Sequence, residues 1–297
     1  MNLSGIHQES KYLAIQKLNE QKNYSIEKLC RCVNVGRSSY YKWKSRTKSR
    51  REIENENLAQ LIRTIYEESD GVVGYRQMTI NLFRDKDRHV NQKRVYRLMK
   101  ILGLKSVCRR KKYNYIRSTP EVTAQNILNR DFKADRPNEK WLTDVTEFKY
   151  GNGQKAYLSA ILDLSDRRIV SYVFGHSNNN QLVFDTFDKA VRLNPDAMPI
   201  FHSDRGYQYT SKTFKAKLDK AKMTQSMSRV GHCIDNGPME GFWGILKSEM
   251  YYLHKFNDYD TLKVAVEKYI NYYNNKRYQR RLKCMSPLEF HECLAVA

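Results

Sequence analysis

The stretch Trp141-Leu142-Thr143-Asp144-Val145-Thr146-Glu147 decides the reading of this chain. Its apolar and β-branched residues favour a strand, which continues to Phe148. Gly151-Asn152-Gly153 follows as a hairpin signal. Two further strand patterns come next, Tyr157 to Leu164 and Ile169 to Phe174. Gln181 to Leu193 has the spacing of an amphipathic helix, and Pro199 to Ser203 that of a short strand. Thr210 or Ser211 caps a Lys-rich helix reaching Lys222, and Thr224 to Ser228 is a fifth strand. A loop with Gly231 and Gly237 leads to a helix starting near Pro238, and a Tyr-rich helical tail follows from Tyr259.

A meander of three strands followed by helix, strand, helix, strand, helix is the order of a ribonuclease-H-like α/β core, a mixed five-stranded sheet with helices. The residues before it are expected to form all-α helix-turn-helix DNA-binding modules. Tyr12, Ile15 and Leu18, then Ile26, Leu29 and Val33, recur at helical spacing; Ser25 is a candidate N-cap. Asn34-Val35-Gly36 breaks the pattern, and Arg37 to Lys44 opens a second helix with Arg37, Ser38, Tyr41 and Lys42 as candidate DNA contacts. Leu58, Leu61, Ile62 and Ile65 mark another amphipathic helix; Gly71 and Gly74 interrupt it. A second helical pair begins at Gly74-Tyr75-Arg76, turns at Asp85 to His89 and resumes from Asn91 to Leu102. In that pair Arg76, Lys93, Arg94 and Arg97 are candidate contacts, with Arg94, Arg97 and Lys100 on a face opposite Val95, Leu98 and Met99. The run Arg109, Arg110, Lys111, Lys112 reads as a DNA-clamping linker. The expected division is a helix-turn-helix module over 1–50, a second helical DNA-binding module over 51–115, a linker over 116–138, the catalytic core over 139–255 and a helical tail over 256–297.

Charge supports a polyanionic partner. The chain carries 53 Lys and Arg against 32 Asp and Glu, a formal net charge of +21. Residues 1–130 hold 28 basic and 12 acidic side chains, so most of the excess lies in front of the core. Such a field raises affinity for a phosphate backbone, DNA or RNA. No apolar run is long enough to span a bilayer and no signal-peptide pattern is visible, which leads to the expectation of a soluble cytoplasmic protein. The 6 cysteines include no C-x-x-C and no zinc-finger spacing, so neither a structural zinc site nor a disulfide framework is expected.

Asp144 is a charge inside an apolar strand and needs a partner there. Asp204, in Phe201-His202-Ser203-Asp204-Arg205-Gly206, follows the fourth strand, expected beside the first. Glu240 begins the helix after Asp235-Asn236-Gly237-Pro238-Met239. Three carboxylates without His or Cys suit Mg²⁺ or Mn²⁺ rather than zinc. Two such ions could support phosphoryl transfer, with Asp144 as the bridging ligand. Lys247 stands seven residues after Glu240, two helical turns along, so Glu240, Trp243 and Lys247 share a face and Lys247 could hold a phosphate. Arg205, beside Asp204, is a further candidate DNA contact.

Between Asp204 and Glu240 lie 35 residues. With its local motifs, this spacing resembles the DDE transposase and retroviral integrase superfamily, and within it the second-reading-frame (orfB-type) transposases of insertion sequences. The resemblance covers nearly the whole chain. It runs through Tyr24-Ser25-Ile26, Ser38-Ser39-Tyr40-Tyr41-Lys42-Trp43, Gly74-Tyr75-Arg76 and Lys93-Arg94-Val95. In the core it includes Trp141 to Thr146, His202 to Gly206, Gln208-Tyr209-Thr210-Ser211, Gln225-Ser226-Met227-Ser228, Asp235-Asn236 and Met239-Glu240. It ends in Tyr273-Asn274, Arg277 and Ser286-Pro287. Tyr207 and Gly241 stand where that family usually has small hydroxyl residues, Trp243 where it has Phe, and His232-Cys233-Ile234 alters the loop before Asp235. No metal ligand is lost.

The resemblance implies a metal-dependent DNA strand transferase. Asp144, Asp204, Glu240 and Lys247 would be its catalytic residues, the three carboxylates holding two Mg²⁺ per site, with Mn²⁺ able to substitute. Its substrates would be the terminal inverted repeats of a mobile element and a target DNA, cleaved at the 3′ ends and joined by strand transfer. It also implies a homo-oligomer on DNA and an upstream-frame helix-turn-helix protein as partner or fusion. Two other readings stand beside it: a catalytically silent DNA-binding regulator derived from a transposase, and a ribonuclease-H-type nuclease acting on RNA–DNA hybrids.

Overall fold

The computed structural model describes residues 3–108, 124–229 and 233–296. The basic run Arg109, Arg110, Lys111 and Lys112 lies outside the described residues, as do Val230, Gly231 and His232. The chain forms two compact units, Met1–Leu61 and Ile62–Ala297.

In the first unit α1 (Leu3–Lys22), α2 (Ile26–Cys32) and α3 (Arg37–Lys44) enclose a small core of Ile15, Cys30 and Tyr40, flanked by Tyr12, Ile26, Leu29, Val33 and Trp43. The apolar repeats seen in the sequence are the residues that meet here. Ser25 does stand at the N-cap of α2, but its side chain makes no capping hydrogen bond. The α2–α3 turn is made by Asn34 at φ 53°, a left-handed conformation that Asn tolerates better than most residues. The long helix α4 spans Arg50–Glu68.

In the second unit α5 (Tyr75–Lys86) and α6 (Gln92–Ile101) pack as a pair, with Met78, Leu82, Val95 and Met99 buried. Asn91 caps α6 by accepting from the Lys93 amide. The sheet follows. β1 (Lys140–Tyr150) and β2 (Gln154–Asp163) form a hairpin over Gly151-Asn152-Gly153, whose glycines sit at φ 49° and 96°. β3 (Ile169–Gly175) pairs antiparallel with β2. Helix α7 (Asn180–Leu193) leads to β4 (Ile200–Ser203), α8 (Lys212–Lys220) to β5 (Thr224–Met227), and β4 and β5 join in parallel. The strand order is β3-β2-β1-β4-β5, so the first and fourth strands are neighbours. Of the two candidate caps for α8, Ser211 is the one used; its hydroxyl accepts from the Phe214 amide.

β1 is covered on both faces, which is why its sequence carries apolar residues at both odd and even positions. Trp141 and Val145 face a cluster with Phe187 of α7 and Phe214 and Leu218 of α8. Leu142 and Phe148 face the opposite cluster, with Met239, Phe242, Trp243 and Leu246 of α9 (Gly237–Glu249) and Leu262, Val266 and Ile270 of α10 (Tyr259–Asn275). Asp144 shares the parity of Leu142 and Phe148 and so belongs to the α9 side. The chain ends in α11 (Pro287–Val296). No helix among the described residues is long and apolar enough to cross a membrane.

Candidate active site

Asp144 lies at the centre of β1, opposite Ala160 of β2. Its two oxygens are held separately: Oδ1 accepts from the Val145 amide at 2.8 Å and Oδ2 from the Trp243 indole Nε1 at 3.0 Å. Asp204 follows directly on β4, which pairs with β1 in parallel. Its Oδ1 accepts from the Gly206 amide at 2.9 Å. The turn is tight: a Cβ at Gly206 would stand 2.9 Å from the Gln208 side chain and 3.0 Å from Asp204 Oδ1, so a larger residue would displace both side chains.

Burial, then the Asp204 charge, push the Asp144 carboxyl up to about 7, against the pull of its two donors; Glu240 adds a smaller upward push. Burial also raises Asp204, opposed by the Gly206 amide. The Asp144–Asp204 pair is therefore one where like charge and desolvation both resist full ionisation.

Glu240 is exposed, in the first turn of α9. Among the described residues no three His, Cys, Asp or Glu side chains lie close enough together to hold a metal ion. The fold thus brings Asp144 and Asp204 together and leaves Glu240 on the rim. Three carboxylates repel one another unless a cation stands between them. The donor set is all oxygen, and a divalent cation would relieve the repulsion in the aspartate pair, so these side chains fit Mg²⁺ or Mn²⁺.

Trp243 and Lys247 both turn to the α9 side of β1: Trp243 meets Asp144, and the half-buried Lys247 places its Nζ 5.2 Å above the Phe148 ring, while Glu240 is exposed. Of the residues noted as unusual, Tyr207 points outward and donates to the Asn178 carbonyl. Gly241 lies inside an unbroken α9 with nothing near the position of its missing Cβ.

A buried polar frame supports the pair. His202 sits between the Ser226 hydroxyl at 2.9 Å and the Ser228 hydroxyl at 3.1 Å, and burial lowers its imidazole to about 4, which keeps it neutral. The Tyr209 hydroxyl meets Thr143 Oγ1 at 3.1 Å. Asn236 Nδ2 donates to the Thr143 carbonyl at 3.0 Å, tying the start of α9 to β1 next to Asp144. Asp235 is fully buried and accepts from Arg229, Arg130 and Asn126, and the arginines hold its carboxyl far below the usual range. Sequence reasoning assigned no role to Asp235, Asn236 or Tyr209, although all three lie in the motifs. Trp243, placed by its spacing on one face with Glu240 and Lys247, has a role that the spacing did not show, as donor to Asp144.

The candidate DNA contacts fall into three groups. Arg37, Ser38, Tyr41 and Lys42 are all exposed on α3, with Arg37 5.7 Å over the Tyr41 ring. Arg76, Lys93 and Arg97 are exposed on α5 and α6. Arg94 differs from its expected open face by being half-buried, and the half-buried Arg205 ties its Nε to the Ser228 carbonyl at 2.6 Å.

Residues 134–233 match the integrase core domain family, residues 240–293 match a second integrase core domain family, and residues 52–112 match an HTH-like domain. Over 276 residues the chain is 41% identical to the putative transposase InsK for insertion sequence element IS150 of Escherichia coli (strain K12), covering 92% of this chain and 96% of that protein. The chain belongs to the insertion-sequence transposases. The transposase for element IS904 of Lactococcus lactis shares 33% identity with this transposase over 83% of its length and 98% of its own. Among solved structures, the catalytic core of HTLV-2 integrase in complex with magnesium is similar to this transposase at 21% identity and a TM-score of 0.41, over 52% of this chain and 97% of that one.

Proposed function

We propose that the chain is an active DNA transposase that binds the terminal inverted repeats of its element, cleaves at the 3′ ends and joins those ends to target DNA. One observation carries this reading. Asp144 and the end of β4 that bears Asp204 sit on paired neighbouring strands, and the helix carrying Glu240 is hydrogen-bonded to Asp144 through Trp243.

Asp144, Asp204 and Glu240 are the residues that would hold two Mg²⁺ ions, or Mn²⁺ in their place. When bound, such ions activate a water or 3′-hydroxyl and stabilise the leaving 3′-oxygen. The protein's own share is orientation. The Val145 amide and Trp243 indole fix the Asp144 oxygens, and the Gly206 amide fixes Asp204. Glu240 swings in from the first turn of α9, and Lys247, one face along that helix, takes the scissile phosphate. Arg37, Ser38, Tyr41 and Lys42 on α3, and separately Arg76, Lys93 and Arg97 on α5 and α6, would neutralise backbone phosphates, contacts that position DNA without reading every base. Arg94, Arg205 and the basic residues Arg109, Arg110, Lys111 and Lys112 are further phosphate contacts to test. Two element ends must be held together for joining, so the working form is a homo-oligomer on DNA. An upstream-frame helix-turn-helix protein is the further partner to test.

Purified protein incubated with duplexes bearing the element's own ends should nick the 3′ ends and join them only when Mg²⁺ or Mn²⁺ is added. Asp204→Asn should abolish both steps. Full joining by that variant would remove the metal assignment, and DNA binding without any cutting in either metal would make the chain a silent regulator.

A further inference from the structure

A groove of about 840 Å³ runs between α5, the turn into α6 and the segment 277–284 that precedes α11. The two walls are stitched together. Gln77 Nε2 donates to the Tyr278 carbonyl at 3.1 Å, the Tyr278 hydroxyl donates to Asp85 at 2.8 Å, and Arg84 pairs with Glu289 while lying over the Tyr278 ring.

The lining of the groove is one-sided in charge. Arg76, Arg277, Arg280 and Arg281 are in it, and no Asp or Glu is among its described lining residues. Arg277 is already spent on a two-pronged pair with Glu249. Arg280 and Arg281 are exposed on the rim, and Arg281 makes only a 3.2 Å bond to the neutral Gln279 side chain among the described residues. The floor, by contrast, is apolar: Ile80, Phe83 and Val90. Phe83 is 36% exposed, and its ring meets that of His89 at 4.5 Å between centroids.

We propose that this groove binds an unpaired stretch of a DNA strand, the rim arginines taking its phosphates and the Phe83–His89 pair taking a base. This rests on the transposase reading above and adds a substrate feature to it. A cationic groove with aromatic side chains in its floor is the chemistry that captures single strands. A duplex keeps its bases stacked inside and could use the rim but not the floor. The volume lies within the range that encloses a ligand of nucleotide size. The chain's own segment 109–123 carries five basic residues and one acidic residue, so an acid-free arginine rim repels it as an occupant.

Binding is measured by fluorescence anisotropy on the full chain in EDTA, where no cleavage can occur. The probes are a blunt duplex, the same duplex with a short unpaired 3′ end, and the corresponding single strand. The unpaired end should tighten binding about tenfold over the blunt duplex, the lower part of what stacking one base on an aromatic ring contributes. Phe83→Ala should erase that advantage and leave blunt-duplex affinity within about twofold. Arg280→Ala with Arg281→Ala should also erase it and lower the salt slope for the single strand by about 0.7 per lost phosphate contact. All three positions are exposed, so unchanged thermal melts are expected of the variants. No advantage of the unpaired end in the wild type, equal loss of both duplex probes in the variants, or no change in any variant would each overturn the proposal. A protein that prefers the unpaired end in EDTA but never cuts in Mg²⁺ keeps this groove and loses the catalytic reading.

Discussion

The Trp243 indole Nε1 donates to Asp144 Oδ2 at 3.0 Å, joining the helix that carries Glu240 to the strand at the centre of the site. Tryptophan here supplies a donor that phenylalanine lacks. That bond favours the ionised carboxylate, so Trp243→Phe should keep the packing and raise the Asp144 carboxyl further above about 7. A hydrogen bond to a charged group contributes about 1.5 kcal/mol or more, so the rise is about one unit. In the metal-free protein the titration midpoint of the Asp144 carboxyl, followed by NMR, should move to higher pH by that amount. An unmoved midpoint would show that the indole does not tune Asp144.

Asp204→Asn should abolish cleavage and yet stabilise the metal-free protein at neutral pH. The folded Asp144 carboxyl is raised to about 7 against about 3.9 in the unfolded chain. Between those values the folded state holds the extra proton, so the stability this group contributes is full below about pH 4 and is lost as pH rises through 7. Removing the neighbouring charge lifts part of that penalty, burial being its larger cause. In metal-free thermal melts the variant should exceed the wild type at about pH 8 and match it near pH 4. Added Mg²⁺ should stabilise the wild type at about pH 8 and not the variant, because ligand binding to the folded state alone raises stability.

Asp235→Ala should cost about 3 kcal/mol in urea unfolding. The carboxylate is fully buried, while Arg130 and Arg229 remain 43% and 44% exposed, so the loss sits at the lower end for breaking a buried ion pair. Its carboxyl is held low, so this contribution is present above the unfolded carboxylate value and is lost only as pH falls toward the folded one. The difference between wild type and variant should be constant above about pH 5 and shrink below about pH 4.

Gly241→Ala should stabilise the protein by about 1 kcal/mol, the helix-propensity gap between the two residues. Nothing within 4 Å obstructs the new methyl group, and α9 is regular through this position. Chemical denaturation of the variant measures the effect. A loss of stability would mean that the glycine serves a bent form of α9.

The parts legible in the sequence are those set by short-range pattern. The buried β1 announced itself through apolar residues on both faces, the hairpin through two glycines at positive φ, and the Asp144–Asp204 neighbourhood through strand order. Glu240 was legible as a helix-start carboxylate, but not its exposure, which depends on how the first turn of α9 faces solvent. Arg94 looked like a surface cation because helical spacing shows a residue's face and not what packs beside it. The docking of α5 on the C-terminal segment was illegible for another reason. Its bonds join residues about 200 positions apart, such as Gln77 with Tyr278, and each is an ordinary polar contact with no periodic trace.

That docking has a metric consequence. Gln77 and Asp85 fix α5 to Tyr278, the adjacent Arg277 is clamped to Glu249 at the end of α9, and Glu240 begins the same helix. The α5–α6 pair and the helix that begins near Glu240 are thus mounted on a common bracket, so if α5 and α6 grip DNA as proposed, that DNA would meet the carboxylates at a set reach. The cut would then be measured in base pairs from the grip, and an inserted base pair between them would leave the scissile bond out of register.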